Sequence, residues 1–189
     1  MKLLFVDCCI SQRGKESRTL ALAKAYIDAF RAAHPDWEVE RADPMDLPPL
    51  TAEFLDDRDT RKGEFSAPMF AAARQFQSAD SIVVAAPYWD LSYPAQLKTY
   101  IEHISVNGLC YHYTEQGCQG DCKAEKLVYL TSGGDFEGED SVGVLHWKQL
   151  CKMFGIETFT YVFAGGMDID PVKTPELLEK ACEKARSLV

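Results

Sequence analysis

Short, almost wholly apolar runs alternate along this chain with longer stretches in which apolar residues recur every three or four positions. The first run, LLFVD (Leu3 to Asp7), has the length and composition of a central parallel strand buried on both faces. After a polar loop, Leu20, Ala23, Ile27 and Phe30 fall at helical spacing, and the pattern stops near Pro35. Trp37 to Arg41 alternates more weakly, as an edge strand does. From Ala67, the spacing of Phe70, Ala73 and Phe76 predicts a helix leading into the strand SIVVAA. Pro94 suits the first turn of a further helix with Leu97, Ile101 and Ile104 inward. KLVYL (Lys126 to Leu130) reads as a fourth strand, SVGVLHWKQLCKMFG as a helix closed by Gly155, and TFTYVF as a fifth strand. Thr174-Pro175-Glu176 opens a terminal helix, with Thr174 as its cap and Pro175 at its first position.

Five strands alternating with five helices imply a parallel sheet covered on both faces, wound in both directions by right-handed crossovers. No linker or repeat divides the chain, so residues 1–189 are expected to form one domain. Thr51 to Gly63, rich in Asp and Arg, shows no period; a lid and a disordered loop both remain open there.

Composition adds exclusions. With 47% hydrophobic and 26% charged residues, the chain is typical of a globular protein, and its net charge of -9 argues against nucleic acid or an anionic membrane as partner. The start, MKLLFVDCC, is too short an apolar run for a signal peptide, and no segment approaches spanning length, so a cytoplasmic location is expected. Seven cysteines, an odd number, speak for reduced thiols. Cys110, Cys118 and Cys122 cluster, but their spacing is not that of a zinc ribbon or a ferredoxin-type run, and no metal site is assigned. His34, His103, His112 and His146 are scattered without ligand or triad spacing.

In such a sheet ligands bind beyond the carboxyl ends of the strands, and three unusual loops fall there. CCISQRGKESRTL follows the first strand. It carries Ser11, Ser17 and Thr19 as hydroxyls, Arg13, Lys15 and Arg18 as cations, and runs into a helix N-terminus that favours an anion. Alone, it also reads as an ordinary capped helix with a solvated basic loop. APYWDLSYPAQLK follows the third strand. Pro87 ends the ladder, and Tyr88 and Trp89 stand where a flat heteroaromatic ring would need apolar faces. Two adjacent aromatics on one extended segment cannot both point inward. TSGGDFEG follows the fourth strand. Gly133 and Gly134 allow close backbone approach, with the Thr131 and Ser132 hydroxyls beside them.

PYWDLSYPAQLKTYIE resembles the segment P-x-[YW]-x-x-x-x-P-A-x-L-K-x-[YW]-[IF] of the flavodoxin-like NAD(P)H oxidoreductases, the family of bacterial FMN-dependent azoreductases and mammalian-type quinone reductases. YHYTEQG (Tyr111 to Gly117) is similar to its aromatic-Tyr-Thr-Glu-Asn-Gly turn, and TSGG to its Gly-Gly loop. The resemblance implies a flavodoxin-like three-layer sandwich with strand order 2-1-3-4-5, and a non-covalent flavin, FMN rather than FAD at this length. It implies Ser17 and Arg18, with Glu16 and Cys9 or Ser11, around the phosphate. Pro87, Tyr88, Trp89, Asp90 and Leu91 would pass the isoalloxazine ring, with Thr131, Ser132, Gly133 and Gly134 at its other edge. It also implies a homodimer with flavin sites at the interface. Cys8-Cys9 stands where relatives often have Ser-Ser or a histidine. No catalytic Tyr or His is carried over, because DFEGEDSVG follows the glycines and His146 comes only further on.

The activity so implied is ping-pong, two-electron reduction of a quinone, azo compound or similar acceptor by NAD(P)H, the flavin supplying the chemistry and the protein its position. Two other classes stand beside it. The acidic balance would suit a flavodoxin-like electron carrier that docks on proteins. The cysteine cluster would suit a flavin-free sensor or binding module.

Overall fold

Apolar runs that need cover on both sides and amphipathic stretches that need it on one can satisfy each other only in layers. The computed structural model describes residues 1–10, 17–136, 138 and 140–189. Its elements in chain order are β1 (Lys2–Asp7), α1 (Arg18–Ala33), β2 (Glu38–Ala42), α2 (Ala52–Thr60), α3 (Ala71–Ser78), β3 (Ser81–Ala85), α4 (Ala95–Ile104), β4 (Tyr111–Thr114), β5 (Gly117–Gly120), β6 (Lys126–Ser132), α5 (Val142–Phe154), β7 (Thr158–Ala164) and α6 (Thr174–Arg186). The main sheet runs β2-β1-β3-β6-β7, with every pairing parallel. Counted among the parallel strands alone, this is the expected order 2-1-3-4-5.

Alternation along the strands builds two cores. Leu4, Val6, Ile82, Val84, Leu127 and Tyr129 face a layer holding Phe76, Leu97, Tyr100, Trp147 and Phe154 from α3, α4 and α5. Their neighbours Leu3, Phe5, Val83, Ala85, Val128 and Leu130 face Leu22, Tyr26, Ile27 and Ala185 from α1 and α6. Each large side chain buried this way contributes about 1.5–3 kcal/mol before chain entropy is set against it. Among the described residues no helix is long and apolar enough to cross a membrane.

The structure departs from expectation at several places. β2 starts one residue later than read, at Glu38, and four of its five residues are only partly covered or less, as on an edge. The segment without a period contains α2. Thr51 Oγ1 caps it by accepting from the Phe54 amide at 3.2 Å, and Arg61 pairs with Asp57 one turn back at 2.8 Å. No residue of α2 is buried, so it had no apolar stripe to show; Phe54 meets the His103 ring at 5.1 Å. Tyr111 to Gly117 is more than a turn, since β4 and β5 form an antiparallel hairpin about it, with Thr114 opposite Gly117. Thr174 is the first residue of α6 rather than its cap, because its hydroxyl donates back to the carbonyls of Met167 (2.9 Å) and Asp170 (3.2 Å).

All seven cysteines are free thiols. Cys110 is buried in the core, Cys118 exposed on β5, and Cys122 half-buried beside Cys110. Among the described residues no group of three or more His, Cys, Asp or Glu side chains is placed to hold a metal ion.

Candidate functional site

The carboxyl end of β1 is organised by an acid. Asp7 is buried, pairs with Arg41 Nη2 at 2.9 Å and accepts from the Cys9 amide at 3.0 Å. This turns the chain out of the sheet. The Cys8 amide still donates to Ala85 at 2.8 Å, continuing the β1–β3 ladder. Burial, reinforced by Asp7, pushes the Cys9 thiol far up, so it stays protonated and is no thiolate nucleophile.

Ser17 then caps α1, its Oγ accepting from the Leu20 amide at 3.3 Å, and Arg18 is the first residue of the helix. The unpaired amides and positive dipole end of that first turn favour an anion. Arg18 Nη1 reaches Asp168 Oδ1 at 2.7 Å, in the loop after β7. Thr19 Oγ1 meets Ser132 Oγ at 2.7 Å, a buried contact joining α1 to β6.

Past β3, Pro87 leaves the ladder, and the Tyr88 amide returns to it by donating to Ser132 at 2.9 Å. The two neighbouring aromatics part company. Tyr88 packs edge-on against Phe163 with centroids 5.2 Å apart, while Trp89 stands 44% exposed at the rim. Asp90 (φ 51) and Leu91 (φ 61) adopt left-handed backbone, and the turn closes with the Ser92 amide on the Trp89 carbonyl at 2.8 Å.

Opposite lies the glycine loop. A Cβ on Gly133 would sit 2.9 Å from Phe163 and 3.1 Å from Tyr88; one on Gly134 would sit 2.6 Å from Asp168 Oδ2. The Gly133 amide donates to Ala164 (3.0 Å), and the Met167 and Asp168 amides return to Gly133 (3.2 Å) and Gly134 (3.1 Å). Main chain thus ties this loop to the one after β7.

These loops enclose a cleft of about 440 Å³. Of the residues singled out in the sequence, it brings together Cys9, Ser17, Arg18, Pro87, Tyr88, Trp89, Ser132, Gly133 and Gly134. Asp90 and Leu91 form the exposed tip of the rim turn rather than its wall. Thr131 is turned away: β6 runs on through Ser132, and alternation along it buries Thr131 completely on the face opposite Ser132. Ser11 and Glu16 lie outside the described residues. Thr19, named in the sequence among the hydroxyls of the first loop, also lines the cleft, as do Ile10 and Asp168, which were missed. Asp168 belongs to AGGMDID, a fourth strand-end loop with paired glycines, which the same topological rule would have found. No histidine is among the described lining residues. His146 is instead stacked on Tyr93 at 5.9 Å and bonded to its hydroxyl.

Residues 1–189 match the model of a family described as having a flavodoxin-like fold. The chain is 32% identical over 191 residues to an FMN-dependent NADH:quinone oxidoreductase of Clostridium beijerinckii, covering 98% of this chain and 96% of that protein. It is 31% identical over 198 residues to one of Clostridium perfringens, covering 99% and 97%. Among solved structures, an azoreductase from Bacillus anthracis superposes with a TM-score of 0.86 at 24% identity, covering 100% of this chain and 98% of the other. At such identity the likeness is one of fold.

Proposed function

Because this chain belongs to the flavodoxin-like fold family along its whole length, we propose that it is an FMN-dependent NAD(P)H oxidoreductase that reduces quinones, azo compounds or similar acceptors. The observation that carries this reading is the pairing, across one cleft, of a helix N-terminus bearing Ser17 and Arg18 with an aromatic rim facing Gly133 and Gly134. The first suits a phosphate monoester, the second a flat ring. The relatives' names favour NADH as the donor.

The residues present fit such a group. Gly133 lets the Tyr88 and Phe163 rings pack directly against the glycine loop, which sets Tyr88 on the cleft wall, and about 440 Å³ is ample for a ring system with its side chain outside. Ser17 Oγ, the first amides of α1 and Arg18 would hold the phosphate, in a loop to which the resemblance adds Cys9, Ser11 and Glu16. Pro87, Tyr88 and Trp89 would flank the ring, with the Asp90–Leu91 turn at its rim and Ser132, Gly133 and Gly134 opposite. When bound, FMN supplies the two-electron exchange between nicotinamide and acceptor. The protein's part is to orient the ring, offset the phosphate charge at α1, and shield the buried edge from water with Tyr88. Trp89 leaves the outer side accessible, so that donor and acceptor can use it in turn.

Residues 1–189 are read as one working domain, and the enzyme as a cytoplasmic homodimer. Seven free thiols suit a reducing compartment. Exposed Trp89, Leu91, Val142 and Leu145 suit cover by a second copy near the cleft.

The test is the visible spectrum of FMN-reconstituted protein before and after anaerobic NADH, then NADPH. A bound-flavin spectrum that bleaches promptly is the expected result. Flavin that is retained but stays oxidised would point to an electron carrier, and no retained flavin would overturn the reading.

A further inference from the structure

The two charges on the cleft wall face each other. Among the described lining residues Arg18 is the one cation and Asp168 the one acid, and they join at 2.7 Å across 150 positions of sequence. Arg18 opens α1, where the helix dipole already favours an anion. Asp168 is no wandering surface acid. Its amide is pinned to the Gly134 carbonyl at 3.1 Å, its predecessor Met167 to Gly133 at 3.2 Å, and Gly134 lacks the Cβ that would lie 2.6 Å from Asp168 Oδ2. The glycine loop therefore makes room for a carboxylate at the mouth of the site.

A carboxylate there works against a phosphate in two ways: it occupies the guanidinium the phosphate would use, and it repels the dianion itself. Both partners are partly open to water, so the pair is a weak one that a doubly charged ligand can displace.

We propose that Asp168 is a specificity-determining residue that competes with the flavin phosphate for Arg18. It thereby sets how strongly the site favours a phosphorylated flavin over a neutral one. This rests on the flavin reading above and deepens it, since the same cleft without an acid would prefer the phosphate ester more strongly.

The experiment is equilibrium titration of the full-length apoprotein with FMN and with riboflavin, followed by flavin fluorescence, for wild type, Asp168→Asn and Asp168→Ala. Both variants are expected to bind FMN about threefold or more tighter, from the loss of one exposed competing charge, with riboflavin affinity unchanged. Unchanged or weakened FMN binding would overturn the proposal, the latter marking Asp168 as a residue that orients Arg18. Equal shifts for both flavins would also overturn it, by showing a merely structural role. If wild type binds neither flavin, the functional reading falls and takes this inference with it. If wild type binds FMN and the variants match it, only the inference falls.

Discussion

Thr19 Oγ1 and Ser132 Oγ lie 2.7 Å apart in a buried contact that fastens the first turn of α1 to the end of β6. Each hydroxyl is the other's partner, and both side chains are nearly buried at the floor of the cleft. Thr19→Val should therefore strand Ser132 and cost about 1–3 kcal/mol in urea unfolding, while Thr19→Val with Ser132→Ala should recover part of that loss. A double variant no more stable than Thr19→Val would show that the pair is not the source.

Gly133→Ala should damage the cleft more than the fold. The added methyl meets Phe163 at 2.9 Å and Tyr88 at 3.1 Å, so these rings must shift, and Tyr88 lines the space assigned to the flavin. Expected are a loss of about 1–3 kcal/mol in stability, as in overpacked cores, and a fall in FMN affinity of at least about tenfold by fluorescence titration.

Gly120→Ala tests the docking of the hairpin. A Cβ there would lie 1.9 Å from the Gly155 nitrogen and 2.0 Å from the Phe154 carbonyl carbon, backbone that cannot step aside. The β4–β5 hairpin should come off the end of α5, with amide exchange rising through residues 111–122 while β1, β3 and β6 keep their protection.

How much of this was readable along the chain depended on what each residue buries. Leu3 to Asp7, Ser81 to Ala85 and Lys126 to Leu130 are covered on both faces, so their apolar runs announced central strands. α2 and the hairpin bury little and are built by a cap, ion pairs and a two-residue turn, none of which leaves a hydrophobic period. The cleft was legible wherever a strand end carried odd residues, as at Tyr88 and Gly133. The error at Thr131 came from ending β6 two residues early, which hid that Thr131 and Ser132 point to opposite layers. The loop of Asp168 was marked by its strand-end glycines, but the contact with Arg18 spans 150 residues and no local pattern encodes that.

Leu91 holds φ 61 with 67% of its surface exposed, a strained backbone without burial to compensate. Leu91→Asn, which tolerates this conformation, should stabilise the isolated subunit by up to about 1 kcal/mol. If Leu91 is covered by a second copy, as proposed, the same variant should weaken self-association in sedimentation equilibrium.

Burial, helped by Lys98, lowers the pKa of His146 from its ordinary 6.5. The fold thus prefers the neutral ring. As pH falls through about 6.5 the unfolded chain takes up its proton first, so this contribution is present above that pH and lost below it. Urea midpoints should drop between about pH 7.5 and about pH 5.5, and drop less in His146→Gln.

The walls of the cleft hang on main-chain bonds: Cys8 to Ala85, Ala86 to Leu130, Tyr88 to Ser132, Gly133 to Ala164 and Met167 to Gly133. None of these needs a particular side chain. Residues such as Trp89 and Ile10 can then be exchanged for others of different size or polarity without dismantling the frame that presents them. A scaffold of this kind can change its clientele by single substitutions, and a library confined to those outward positions should yield many folded proteins with altered acceptor preference.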